Sequence, residues 1–200
     1  MKKLLFTLVF IIPFTAGAQN KKKPAAHFEW ENNTTLTKFL EENDVEINIK
    51  DLATLDYIGS WAYFNNNNFI QVPSAIFFNR EGYRIAKDFV GEKCSQTIKD
   101  MDKIDTYKVN KDENINDWVS KYMAFPFTTE PVFGEPFDAY VIIFYCKCLN
   151  SYDDVNATSF RWYKSLKNNN KVKVKVILLN LDIQDTWELN DEQKKAIGLQ

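Results

Sequence analysis

Two apolar runs near the C-terminal end constrain the fold most. Val141 to Tyr145, "VIIFY", is apolar at every position, the pattern of a strand buried on both faces of a sheet. Val172 to Leu181 alternates at its start, around "KVKVKV", and becomes almost wholly apolar at "VILLNL". Between them, Val155, Ser159, Trp162 and Leu166 recur at helical spacing beside a second stripe through Phe160 and Tyr163. Strand, helix and strand in this order predict a β-α-β unit, a parallel pair joined by a right-handed crossover. The chain is therefore expected to be α/β, with a central mixed sheet flanked by helices.

Upstream, "NNTTLTKFLEEN" places Leu36, Phe39 and Leu40 on a helix that Asn33 or Thr34 can cap. "DLATLDYIGSWAYF" places Leu52, Leu55, Tyr57 and Ile58 on a second helix, and Asn65 to Asn68 form a loop. "FIQVPSAIFFNREGYRIAKDF" reads as a hairpin: strand Ser74 to Phe78, turn Asn79 to Gly82, return strand Tyr83 to Ala86. Cys94, Ile98, Met101 and Ile104 mark a further helix, and Ile115, Trp118, Val119 and Tyr122 another. Ala124 to Pro136, with Pro126, Pro131 and Pro136, is an extended linker or surface strand. A hairpin alone or a β-α-β pair alone leaves an apolar face uncovered. The strands at Ser74 to Phe78, Val141 to Tyr145 and Val172 to Leu181 are therefore expected in one sheet.

The first residues read as a secretory signal: Lys2 and Lys3, an apolar run from Leu4 to Phe14, then the small residues Ala16-Gly17-Ala18. That run is shorter than the roughly 20 residues a bilayer span needs. Residues 1–18 are expected as signal, 19–33 as a tail and 34–200 as a single domain, periplasmic or secreted. Charges nearly balance at a net −2, which does not suit nucleic acid. No later stretch is apolar enough to cross a membrane. The partner is expected to be another exported or envelope protein.

His27 is the only histidine. A Ser-His-Asp or Cys-His arrangement would have to use it, and histidine-rich zinc sites are excluded. The scattered glycines form no phosphate-cradling loop. The chemistry that remains centres on the three cysteines. Cys94 sits on an apolar helical stripe, the place of a buried structural thiol. Cys146 and Cys148 follow the "VIIFY" strand directly, one residue apart. Lying on one face of an extended strand, they could hold a soft metal such as Cu(I), but no histidine or methionine motif accompanies them. No metal or cofactor is expected. Asp153-Asp154 and Asp182 read as helix N-terminal charge and a strand-end turn.

"VIIFY", a polar turn, an amphipathic helix and "VKVILLNLDI" resemble the first β-α-β unit of the thioredoxin-like fold, in its secreted TlpA- and peroxiredoxin-like branch. "VPSAIFFNREGYRI" followed by "GEKCSQTIKDM" resembles the closing β-β-α unit of that family, in which a proline, usually cis, opens the first strand and faces a Cys-x-x-Cys pair. Val72-Pro73 matches that position. The order of the two blocks is reversed here, which implies a circularly permuted domain or two partial units packed together. Surface termini, often close together, make permutation sterically reasonable.

Counted without gaps from Phe144-Tyr145, Cys146 to Leu149 fill the approach to the family's redox site, and its cysteine positions fall on Asn150 and Asp153. On that register the site is lost and both cysteines alternate within a strand. The resemblance then implies an exported accessory or interaction protein on a non-catalytic scaffold, with a groove formed by Val72, Pro73, Asn150 and Asp153. A turn shorter by two residues instead brings Cys148 near the helix start, where the helix dipole favours its thiolate. That register implies a periplasmic thiol-disulfide oxidoreductase with Cys146 and Cys148 as its catalytic residues and Pro73 shaping the substrate groove.

Overall fold

The computed structural model describes residues 29–86, 91–129, 132–149, 155–197 and 199. The expected signal, His27, Pro131, Asn150, Asp153 and Asp154 lie outside them. The elements run α1 (Asn33–Glu42), β1 (Leu52–Leu55), α2 (Ile58–Asn66), β2 (Ala75–Phe78), β3 (Tyr83–Ile85), α3 (Glu92–Lys99), β4 (Val109–Asn114), α4 (Ile115–Tyr122), β5 (Met123–Ala124), β6 (Ala139–Tyr145), α5 (Val155–Lys167), β7 (Val174–Asn180) and α6 (Asp191–Ala196). The chain is α/β, built on one seven-stranded mixed sheet in the order β4-β3-β2-β6-β7-β1-β5.

β6 and β7 pair in parallel from Ala139 opposite Val174 to Tyr145 opposite Asn180, with α5 as the crossover. β1 adds in parallel to the far edge of β7, and β2 lies antiparallel on the other side of β6. The three strands expected to share a sheet do share one. Their continuous apolar runs are explained by cover on both faces. One face packs Phe39 and Leu40 of α1, Ile98 of α3 and Phe160, Trp162 and Leu166 of α5 over Val141, Ile143, Val176 and Leu178. The other packs Trp61 and Phe64 of α2 and Trp118 of α4 over Ile142, Phe144, Ile177 and Leu179.

Leu52 to Leu55 correct the reading of a helix beginning there: these residues form β1, and the helix starts only at Ile58. All four residues of β1 are buried, held between β7 and β5. A run so short carries no period that separates a doubly covered strand from a helix. The α1 cap is Asn32, one residue before the expected position, and its side chain accepts N–H bonds from Thr34 and Thr35. β4 was not foreseen because "VNKDEN" is a polar edge strand, where charge rather than alternation is the rule.

Gly82 closes the β2–β3 turn with φ +81°, donating its N–H to the Asn79 carbonyl at 2.9 Å. A Cβ there would lie 2.9 Å from Ile115 Cγ2. Gly82→Ala is expected to destabilise the protein by about 1–2 kcal/mol, the cost of left-handed backbone for an L-residue. Urea unfolding of both proteins measures it; equal midpoints would show that the turn relaxes freely.

Candidate functional site

β6 ends at Tyr145, and Lys147–Leu149 turn as a single 3-10 helix. The cysteines therefore do not alternate within a strand; they bracket the start of a tight turn. Their sulfurs are joined as a Cys146–Cys148 disulfide, with Cα atoms 5.4 Å apart. Cys146 is only 3% exposed, whereas Cys148 is half-buried. The backbone of Cys146 is gripped by Asn156, in the first turn of α5. Asn156 Oδ1 accepts the Cys146 N–H at 3.0 Å, and its Nδ2 donates to the Cys146 carbonyl at 2.8 Å. Ser159, one turn further along α5, donates to the Phe144 carbonyl at 2.7 Å.

The turn rests on a buried carboxylate from the end of β7. Asp182 Oδ2 accepts the Lys147 N–H at 2.7 Å and the Asn180 side-chain amide at 2.7 Å. Oδ1 accepts the Cys148 N–H at 3.0 Å and also lies 3.0 Å from Cys146 Sγ. In the disulfide that sulfur carries no proton, so the approach is a bare S···O contact. After reduction the thiol can donate to the same oxygen. Burial pushes the Asp182 carboxyl up to about 6; the Cys148, Asn180 and Lys147 donors oppose the rise, and Glu31 adds to it. Tyr145, fully buried, is pushed well above its usual range by burial and then by Asp182.

A second buried carboxylate reaches the turn through Lys147. Residues 29–32, part of the expected tail, run beside the segment after β7. The Glu31 N–H donates to the Ile183 carbonyl at 2.8 Å, and the Asp185 N–H donates to the Glu31 carbonyl at 2.8 Å. Glu31 Oε1 lies 2.7 Å from Lys147 Nζ, while its Oε2 is buried and, among the described residues, has no hydrogen-bond partner. Burial works against the Lys147 ammonium, yet Glu31, Glu29 and Asp182 outweigh it and raise the lysine's pKa. Among the described residues, the Lys147 ammonium is thus bonded to one buried carboxylate, Glu31, and feels the second, Asp182, at longer range.

The Val72–Pro73 bond is cis. β2 pairs with β6 from Ala75 opposite Ile143, and the Phe144 N–H donates to the Ser74 carbonyl at 3.1 Å. Continued by two residues, this register sets Pro73 level with Tyr145, next to the cysteine turn. The chain matches no protein-family model, no curated protein and no solved structure. Among the described residues, no helix is long and apolar enough to cross a membrane.

Of the residues singled out from sequence, Cys146, Cys148, Val72 and Pro73 gather at the C-terminal end of β6; Asn150 and Asp153 lie outside the described residues. Cys94 stands apart, fully buried in α3, and burial pushes its thiol up to about 12, which makes it inert at neutral pH. Asp182, Asn180, Asn156 and Glu31 belong to the site and were not assigned to it from sequence. For Asn180 and Asp182 a signal existed: they interrupt the apolar run "VILLNLDI" with groups that must find partners when buried.

Proposed function

We propose that the chain is an exported thiol–disulfide exchange protein working through Cys146 and Cys148 on a permuted thioredoxin-like scaffold. The carrying observation is the asymmetry of the pair: two bonded sulfurs, one sealed against a buried carboxylate and the other only half-buried. The parallel β6–α5–β7 unit, β2 antiparallel beside it and the cis Val72–Pro73 bond next to the turn support the scaffold. The secretory leader read from the sequence supports the setting, and a disulfide-bonded exported or envelope protein is the substrate class.

The roles follow from exposure. In the reduced protein the Cys148 thiolate attacks a substrate disulfide, forming a mixed disulfide and releasing one substrate thiolate. The Cys146 thiol then passes its proton to Asp182 and attacks Cys148 Sγ. The second substrate thiolate leaves, and the Cys146–Cys148 bond forms; the substrate gains two electrons and the pair loses them. Run backwards from the disulfide, the same steps oxidise a substrate dithiol. Attack on the accessible sulfur is the requirement that Cys148 meets.

The competing reading, a non-catalytic accessory module, is favoured by the hold on the turn. Asn156 occupies both backbone groups of Cys146 and Asp182 takes two turn N–H groups, as in a disulfide kept for shape. A disulfide-reduction assay on the mature protein separates the two. A rate well above background that disappears in Cys148→Ser is the expected result. Equal, background-level rates for the native protein and the Cys146→Ser, Cys148→Ser double variant would leave the accessory reading standing instead.

A further inference from the structure

We propose that the reduced pair and Asp182 form a binding site for a thiophilic divalent cation of the zinc class, opened by reduction and closed by the disulfide. Cys146 Sγ, Cys148 Sγ and an Asp182 oxygen all lie within 4.8 Å of one another. A tetrahedral zinc with bonds of about 2.3 Å to sulfur holds two thiolates about 3.8 Å apart. Breaking the S–S bond and letting the sulfurs part therefore carries them towards ligand spacing without moving the strands.

The carboxylate is already oriented for this. Its two oxygens offer about four lone-pair sites. Lys147 N–H, Cys148 N–H and the Asn180 amide occupy three, and the contact with Cys146 Sγ lies along Oδ1. The site left over therefore belongs to Oδ1, the oxygen beside Cys146 Sγ. The three donors would be the outer-shell bonds that fix a ligating carboxylate. Two sulfurs and one hard oxygen suit zinc better than Cu(I), and the half-buried side of Cys148 leaves a fourth position for water.

Charge points the same way. Asp182 and Glu31 are both buried; among the described residues Glu31 Oε2 has no hydrogen-bond partner, and Lys147 is the ammonium bonded to this cluster. Reduction adds two ionisable thiols to that excess. A divalent ion that takes up both as thiolates, with their protons released to the buffer, offsets it. The inference rests on the pair being reducible, as the exchange reading does, but not on turnover.

The test uses Co2+ as an optical probe of the mature protein. The disulfide is reduced with a phosphine, which supplies the two electrons and becomes its oxide, while water gives the oxide its oxygen and each sulfur a proton; the reagent is then removed under anaerobic conditions. One equivalent of Co2+ should give tetrahedral d–d bands and a thiolate-to-cobalt charge-transfer band, both displaced by Zn2+. The oxidised protein and reduced Cys148→Ser should show neither band. Asp182→Asn should bind at least about tenfold more weakly, with Cys94→Ser unchanged. Absence of the bands in protein whose pair is reduced, equal binding by Cys148→Ser, or a pair that resists reduction in the folded protein overturns the site. A pair that exchanges disulfides without binding Co2+ refutes this inference alone; one that binds Co2+ without exchange refutes the exchange reading alone.

Discussion

Replacing Asp51 by alanine is expected to lower the melting temperature by roughly 10 °C, from a loss of about 3–5 kcal/mol when one partner of a buried ion pair is removed. Asp51 is 2% exposed at the end of the turn leading into β1. Its Oδ1 lies 2.8 Å from Lys175 Nζ on β7, and its Oδ2 lies 2.8 Å from Lys167 Nζ at the end of α5. Tyr163 also donates to Oδ2, at 3.0 Å, and accepts the Asn48 N–H at 3.1 Å. Burial first, and then the Asp51 charge, raises the Tyr163 pKa.

The partners do not share the loss equally. The Lys167 side chain is 36% exposed and can turn to water, so its pairing contributes little. The Lys175 side chain is 10% exposed and, among the described residues, keeps only the Lys50 carbonyl, at 3.3 Å. An ammonium stranded there dominates the cost. Lys175→Met should therefore recover most of the stability when added to Asp51→Ala. Urea unfolding of the two single variants and the double variant measures the coupling. A fall of less than about 2 °C in Asp51→Ala would show that Lys175 finds water, and the network would then be ornament rather than a clasp between β1, α5 and β7.

What the sequence disclosed and what it concealed divide along a physical line. β6, β7, α5 and the β2–β3 hairpin were legible because each writes its burial into neighbouring residues, as "VIIFY" and the Val155 to Leu166 stripe do. The joining of these blocks into one sheet was legible too, since none can cover its own apolar face. Leu52 to Leu55 misled because four buried residues fit a strand and a helix turn equally well. The candidate site is hidden for a different reason. Cys146 and Asp182 are 36 positions apart, and their meeting depends on the β6–β7 register and on Tyr145 facing Asn180. Glu31 is further still, placed by a single backbone bridge to Gln184 that no periodicity announces. Asn156 could have been read as one more polar residue on α5; only the buried N–H and carbonyl of Cys146 give it a task.

If Asp182 takes the Cys146 proton, the resolving step should rise with pH through about 6 and then level, and Asp182→Asn should slow it by about 100-fold, the scale of general-base catalysis. The direction follows from the environment. Burial lifts the Asp182 carboxyl from 3.8 to about 6, so below that pH it is protonated and cannot accept, and above it the carboxylate waits 3.0 Å from the sulfur. Stability carries the same signature with opposite slope. The folded protein holds this proton more tightly than the unfolded chain does, so the contribution is present below about pH 4 and lost as pH rises through about 6. The step is isolated by loading Cys148 with thionitrobenzoate and following release of the coloured thiolate as Cys146 attacks. Asparagine can still accept the Cys148 N–H but sets an amide against the Lys147 N–H, so some loosening of the turn is expected. The pH profile separates the two effects: loosening scales the rate at every pH, whereas loss of the base removes the inflection. A native profile flat from pH 5 to 7, or the same inflection in the asparagine variant, would exclude Asp182 as the proton acceptor and leave it a cap on the turn.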